Sequence, residues 1–138
     1  MKCTEKDKQE IDEIVNQFFD LFTNTNNRIP NLQKIKEIFL TNGILINNTS
    51  GEPEIYDLES FIEPRQKILS DGTLTNFEES ETFNETEIYR NIARRTCNYE
   101  KSGILNGAPF KGEGKKLMQF VKLQEKWLLS SVLWSDEK

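Results

Sequence analysis

Histidine is absent from this 138-residue chain. With it goes the side chain best suited to general acid–base work near neutral pH, and the commonest nitrogen ligand of bound metals. Cysteine is scarce: Cys3, in a polar stretch, and Cys97, within an expected strand, are too few and too differently placed for a framework disulfide, so both read as free thiols. Without histidine or a cysteine pair at ligand spacing no metal centre is expected, and Glu79 and Glu81 offer at most a weak hard-cation site. Cys97 likewise lacks an imidazole to activate it as a nucleophile. No apolar run approaches the ~20 residues that span a bilayer, and Met1-Lys2-Cys3-Thr4-Glu5 leads into charges rather than a signal-type apolar core, so no membrane is implied and the expected location is the cytoplasm. Clustered basic residues are missing too. The 18 Lys and Arg are interleaved with 23 Asp and Glu for a net charge of −5, which excludes nucleic acid as a partner. Gly112-Glu113-Gly114-Lys115 lacks the length and the following helix of a phosphate loop, and no cofactor is implied.

What is present suits one soluble α+β domain over residues 1–138, with 1–5 expected as a disordered tail. A chain of this size buries roughly two thirds of its unfolded surface and needs no staple. Nine phenylalanines supply much of the core. From Lys6 to Phe22, Ile11, Ile14, Val15, Phe18, Phe19, Leu21 and Phe22 recur at helical spacing, which predicts a long amphipathic first helix. Thr23 to Asn27 breaks it, and Leu32, Ile35, Ile38, Phe39 and Leu40 predict a shorter second helix. Asn42-Gly43 turns the chain into a short strand over Gly43 to Asn48. Asp57 is the expected N-cap of a third helix running to Leu69, broken or kinked near Glu63 by Pro64. After Thr73 the pattern is strand: Thr75 to Ile88, Ile92 to Lys101, Lys115 to Leu123 and Trp127 to Ser135. The glycines and proline between Gly103 and Gly114 are expected to form a long connection, and Gln124-Glu125-Lys126 a short hairpin link.

The phrases FIEPRQKIL (Phe61 to Leu69), TNFEESE (Thr75 to Glu81), NIA (Asn91 to Ala93), YEKSG (Tyr99 to Gly103) and WLLSSVLWSDE (Trp127 to Glu137) carry a resemblance across nearly the whole chain. In their order and spacing they resemble an uncharacterised bacterial subgroup of the nuclear transport factor 2-like (SnoaL-like) superfamily. That resemblance implies a cone, in which three N-terminal helices pack on a strongly curved, mostly antiparallel sheet around a cavity open at one end. Members of the superfamily include isomerases, dehydratases, polyketide cyclases and proteins of no known activity, so the site must decide function. The enzymes commonly use His and Asp, or Tyr and Asp, and the absence of histidine removes the His-dependent schemes.

Among residues that could carry chemistry, the acid-rich strand Phe77 to Glu87 stands out. Period two places Phe77, Glu79, Glu81, Phe83 and Glu85 on one face. A carboxylate between two phenylalanines would be desolvated and could act as an acid or base. A turn near Arg90 would set Glu85 opposite Arg95, Phe83 opposite Cys97 and Glu81 opposite Tyr99, bringing a phenol to a carboxylate. Glu81, Glu79 and Tyr99 are therefore the candidate catalytic residues, and a slip or bulge of one residue would exchange the faces. The plainer reading is a solvated acidic face ion-paired to Arg94 and Arg95. Arg65 could meet a ligand carboxylate with bidentate geometry, or pair with a strand glutamate. Arg65, Phe61, Phe77, Trp127 and Arg95 are the candidate ligand-binding residues.

Three functions follow as expectations. One is a pocket that holds a small, mostly apolar molecule bearing a carbonyl or carboxylate without turnover. Another is a cofactor-independent isomerase or lyase with a glutamate base, and the third is a dimerisation or scaffold module. Trp127 and Trp134 have opposite parity and are expected on opposite sheet faces. Met118, Phe120, Val132 and Trp134 share a parity across the last two strands and are the expected outer face of a homodimer.

Overall fold

A computed structural model of the chain describes residues 5–137, so Cys3 and the first four residues of the expected tail lie outside the described residues. Helix α1 (Glu5–Asp20) is followed by two short 3-10 segments, then β1 (Phe39–Asn47), β2 (Glu54–Tyr56), α2 (Leu58–Ser70), β3 (Leu74–Tyr89), β4 (Ile92–Leu105), β5 (Ala108–Leu123) and β6 (Lys126–Asp136). The strands form one curved six-stranded sheet in the order β2-β1-β6-β5-β4-β3, antiparallel throughout except where β1 runs parallel to β6. Among the described residues no helix is long and apolar enough to cross a membrane.

The apolar stripe of α1 (Ile11, Ile14, Val15, Phe18, Phe19) lies against the inner face of the sheet and forms the core with Phe61, Ile62, Tyr99, Met118, Phe120, Trp127 and Leu129. Of the three helices expected, two are α-helical. The second is a 3-10 segment, Leu32–Glu37, and Phe39 already belongs to β1. Leu32 and Ile35 are buried, and Gln66 of α2 holds the segment by accepting from Leu32 N (2.8 Å) and donating to Pro30 O (2.9 Å). Asp57 caps α2 in a reciprocal box with Ser60, its carboxylate accepting from Ser60 N at 2.8 Å. The expected break at Pro64 is absent, and α2 continues through it to Ser70.

The stretch from Gly103 to Gly114 is not a loop. It is the tip of a β4–β5 hairpin turned by Asn106 (φ 51°) and Gly107 (φ 83°), the left-handed pair that a type I′ turn requires. Arg90-Asn91 and Gln124-Glu125 close the other two hairpins in two residues each. Gly114 can lie in a strand because the Tyr99 side chain crosses directly over it. A Cβ there would overlap the Tyr99 hydroxyl and the Ser135 carbonyl oxygen and lie 2.7 Å from Tyr99 Cζ.

Bulges decide which side chains face inward. In β3, Glu81 pairs with Tyr99 as expected, but Phe83 pairs with Asn98 and Glu85 with Thr96, so Thr82 is an extra residue. Before it Phe77, Glu79 and Glu81 face the helices. After it the parity reverses, leaving Phe83 51% exposed and Glu85 in solvent. In β6 the shift between the Gln119–Ser131 and Phe120–Leu129 pairs makes Ser130 the extra residue. Trp127 and Trp134 consequently both point inward, at 1% and 9% exposure, rather than to opposite faces. Met118, Phe120, Val132 and Trp134, expected outside, are all buried on the inner face. The outer face instead presents Leu117, Leu133 and Ile44.

Candidate ligand-binding site

Between α1, α2 and the inner face of the sheet lies a cavity of about 320 Å³. Its apolar wall is Phe18 from α1 and Phe22 from the turn after it, Phe61, Ile68 and Leu69 from α2, and Leu74, Phe77, Phe110 and Trp134 from the strands. The rings meet edge to face, Phe61 against Phe22 (5.9 Å) and against Trp134 (6.1 Å). Asn24, just beyond α1, fixes the back of the cavity. Its side chain donates to Leu69 O (3.0 Å) and Leu74 O (2.7 Å) and accepts from Phe77 N (2.7 Å), tying the end of α2 to the start of β3.

Five charged groups line the space: Arg65, Lys101 and Lys116 against Glu79 and Asp136. Lys116 is buried and pairs with Glu79 (3.1 Å), its ammonium over the rings of Tyr99 (4.2 Å) and Trp134 (5.0 Å). Asp136 accepts from Lys101 (2.9 Å) and from the Tyr99 hydroxyl, and its backbone N–H donates to Thr49 Oγ1 (2.9 Å). Burial alone would raise the Asp136 pKa, but the Tyr99 and Lys101 hydrogen bonds, with the charges of Lys101 and Lys116, hold it below the usual carboxylate range. Tyr99 moves the other way. Burial, then the bond to ionised Asp136, push its pKa far above that of a free phenol, so the proton stays on the tyrosine.

Arg65 differs from these. Its guanidinium lies over Phe61 (4.0 Å) and Tyr56 (4.8 Å), and its hydrogen bond runs to Phe61 O on its own helix (3.3 Å). No ion pair is formed by Arg65 among the described residues.

The residues singled out from sequence thus divide. Arg65, Phe61, Phe77 and Glu79 line the cavity. Tyr99 lies behind it, committed to Asp136. Glu81 does not line the space: its carboxylate accepts from Arg95 at 2.5 and 2.9 Å. Arg95, 3% exposed, also donates to Asp12 of α1 (2.6 Å) and to Thr86 (3.2 Å), so its donors are turned to the protein rather than to a ligand. Trp127 sits toward the opposite end of α1, donating from Nε1 to Asp7 (2.9 Å), which also pairs with Lys122 (3.0 Å). Lys116, Lys101 and Asp136 were missed from sequence. Only the strand register places them on the same face as Tyr99: Lys116 is opposite Cys97 and Trp134, and Gly114 opposite Tyr99 and Asp136. Cys97 is buried, and burial, followed by the Glu81 charge, pushes its thiol up to about 12.

No family model and no curated protein matches the chain. Solved structures do. A nuclear transport factor 2-like superfamily protein from Salmonella enterica serovar Typhimurium aligns at a TM-score of 0.79 with 16% identity, over 99% of this chain and 94% of its own. A protein of unknown function with a cystatin-like fold from Nostoc punctiforme aligns at 0.71 with 15% identity, over 99% and 96%. A protein from Exiguobacterium sibiricum, provisionally named a calcium/calmodulin-dependent kinase II association domain, aligns at 0.74 with 9% identity, over 100% and 98%. At such identities the likeness is one of architecture, and the chain has the nuclear transport factor 2-like, or cystatin-like, α+β fold.

Proposed function

We propose that the chain binds a small, mostly apolar molecule bearing a carbonyl or carboxylate, in a cone-shaped pocket and without turnover. The observation that carries this reading is the pairing pattern of the cavity. Glu79 and Asp136 each have a cationic partner, whereas Arg65 has no anionic partner among the described residues and sits among aromatic rings. A polar end on Arg65 and an apolar body against the phenylalanines would satisfy both features. Native mass spectrometry of the protein from its own cells tests it. A small organic adduct should accompany the folded chain and leave on unfolding in urea. A bare mass, together with no thermal shift from any aromatic acid, amide or ketone at millimolar concentration, would sink it.

The glutamate-base isomerase or lyase is the second reading, favoured by Glu79 alone, since it lines the cavity while Glu81 is held by Arg95. Were Glu79 a base, Glu79→Gln should abolish turnover of a found substrate while leaving its binding nearly intact.

We further propose a homodimer through the outer sheet face. Leu117 and Leu133 pair across β5 and β6, with Ile44 beside Ser131, so the centre of that face is uncharged. The Exiguobacterium neighbour is provisionally named an association domain, which is consistent with assembly on this fold. Light scattering should give twice the chain mass at micromolar concentration, and Leu117→Lys with Leu133→Lys should halve it. A monomeric mass for the unaltered chain would refute the dimer.

A further inference from the structure

We infer that the ligand of this cavity is a monoanionic carboxylate on a single aromatic ring, its carboxylate held by Arg65. The inference rests on the pocket reading above and narrows it in three ways.

The first is charge. The cavity holds Arg65, Lys101 and Lys116 against Glu79 and Asp136, one positive charge in excess. Lys116 and Glu79 neutralise each other at 3.1 Å, and Lys101 and Asp136 at 2.9 Å. The excess therefore resides on Arg65, and one negative charge completes the set. A dianion would have to break an existing pair, and a cation would meet an uncompensated guanidinium in a poorly screened space.

The second is the polar group itself. A ketone offers the fork a single neutral acceptor oxygen, whereas a carboxylate meets it with two charged ones, and the phenol that might have supplied a further bond, Tyr99, already donates to Asp136. The guanidinium offers five N–H donors, and among the described residues only Nη1 is used, on Phe61 O at 3.3 Å. Stacking on Phe61 at 4.0 Å and Tyr56 at 4.8 Å holds its plane, so the open fork is preorganised for a carboxylate. Arg65 and Tyr56 are half-buried while Phe61 and Phe77 beyond them are buried. The carboxylate thus sits at the lip and the apolar body goes inward.

The third is the body. At about 320 Å³ the cavity is near the lower limit of small-molecule pockets, which run from ~300 to ~1,000 Å³. That space is ample for one ring with a short tether. The wall offers ring edges and faces together, with Phe61 at 79° to Phe22 and 84° to Trp134, the arrangement an aromatic guest completes.

Ligand-observed NMR titrations with phenylacetate, its neutral isostere phenylacetamide, the cation 2-phenylethylamine and the dianion homophthalate test the inference. Phenylacetate should bind tightest. Arg65→Met should weaken it about 10- to 100-fold, the loss of a charge-assisted pair, while changing phenylacetamide less than about threefold. Arg65→Lys, which keeps the charge without the fork, should fall between. Circular dichroism melting of both variants confirms that they are folded. If phenylacetamide binds as well as phenylacetate, the pocket reading stands and the carboxylate inference is overturned. A preference for phenylacetate that survives intact in Arg65→Met overturns the role of Arg65. If none of the four probes binds, the inference is overturned, while the pocket reading stands or falls on the adduct and thermal-shift test above.

Discussion

At the end of the inner sheet face nearest the start of α1, strand cations are tied to that helix: Arg95, which also holds Glu81 of β3, to Asp12, and Lys122 to Asp7 beside Trp127. At the other end the face is just as charged, but α1 gives way to phenylalanines, space opens, and Arg65 arrives from α2 with no carboxylate among the described residues to meet it. Residue types are nearly the same at the two ends, with arginine, glutamate and tryptophan at each. What separates scaffold from site is whether the helix layer returns an opposite charge. A saturated ion network fixes α1 on the sheet, and the unsaturated end is where we propose that a ligand sits.

The sharpest way to break this comparison is to remove each arginine. Arg95→Met should cost about 3–5 kcal/mol in urea unfolding, because Glu81 would remain largely buried without its partner. Adding Glu81→Gln should recover part of that loss, since the two act as a unit. A cost under about 1 kcal/mol for Arg95→Met would show that the network is not structural. Next in size is Gly114→Ala, which drives a methyl group into the Tyr99 ring and the Ser135 carbonyl. Overpacking of this kind costs about 1–3 kcal/mol. Gly114→Ala combined with Tyr99→Phe should be less than additive, because removing the hydroxyl removes one of the two nearest clashes.

How the two ends came to be confused in the sequence is a matter of parity. Helical periodicity gave α1 and the capped α2 to within a few residues, and alternation located the long strands and their order along the chain. Alternation cannot count residues that drop out of the ladder. Thr82 and Ser130 are such residues, polar and unremarkable, and each reverses everything beyond it. That is why Phe83 was expected inside and Trp134 outside, and why Lys116 was not recognised as facing Glu79. The β4–β5 tip failed for a different reason. Glycine weakens strand propensity, yet Gly114 and Gly112 lie where Tyr99 and Lys101 fold across the neighbouring strand, with Lys101 Cε 3.1 Å from where a Gly112 Cβ would be. Only the partner strand reveals that need. The 3-10 segment at Leu32–Glu37 shows the same apolar spacing as a helix, and its geometry is set by Gln66 of α2.

A smaller effect should appear on acidification, and it samples both ends at once. Burial would raise the pKa of Asp12, but hydrogen bonds from Lys8 and Arg95, with their charges, bring it below its ordinary value, as Tyr99 and Lys101 do for Asp136. A carboxyl whose folded pKa lies below its unfolded one contributes stability above the unfolded value, and loses it as pH falls through the folded value. The urea midpoint should therefore hold between about pH 7 and 5 and drop below about pH 4. Asp136→Asn should lower the midpoint at pH 7 and flatten the acid slope. An unchanged slope in that variant would remove the Tyr99–Asp136–Lys101 cluster from the pH response.

The smallest expected change carries the contrast between the two ends. Arg65→Met should alter unfolding stability by no more than about 1 kcal/mol, against the several lost at Arg95. Among the described residues Arg65 has no anionic partner to strand, and its one hydrogen bond there, at 3.3 Å to Phe61 O, is long. What it does supply is stacking on Phe61 and Tyr56. A methionine can replace much of that, through methylene packing and sulfur–aromatic contact worth about 0.3–1.5 kcal/mol. Removing an unpaired cation from a partly buried position also relieves a desolvation cost, which offsets the lost cation–π attraction. The check is the urea midpoint of Arg65→Met beside that of Arg95→Met under the same buffer, with the slopes compared to confirm that both unfold from a compact state. A loss at Arg65 as large as that at Arg95 would mean that its guanidinium is already satisfied within the fold, and the two ends of the face would no longer differ.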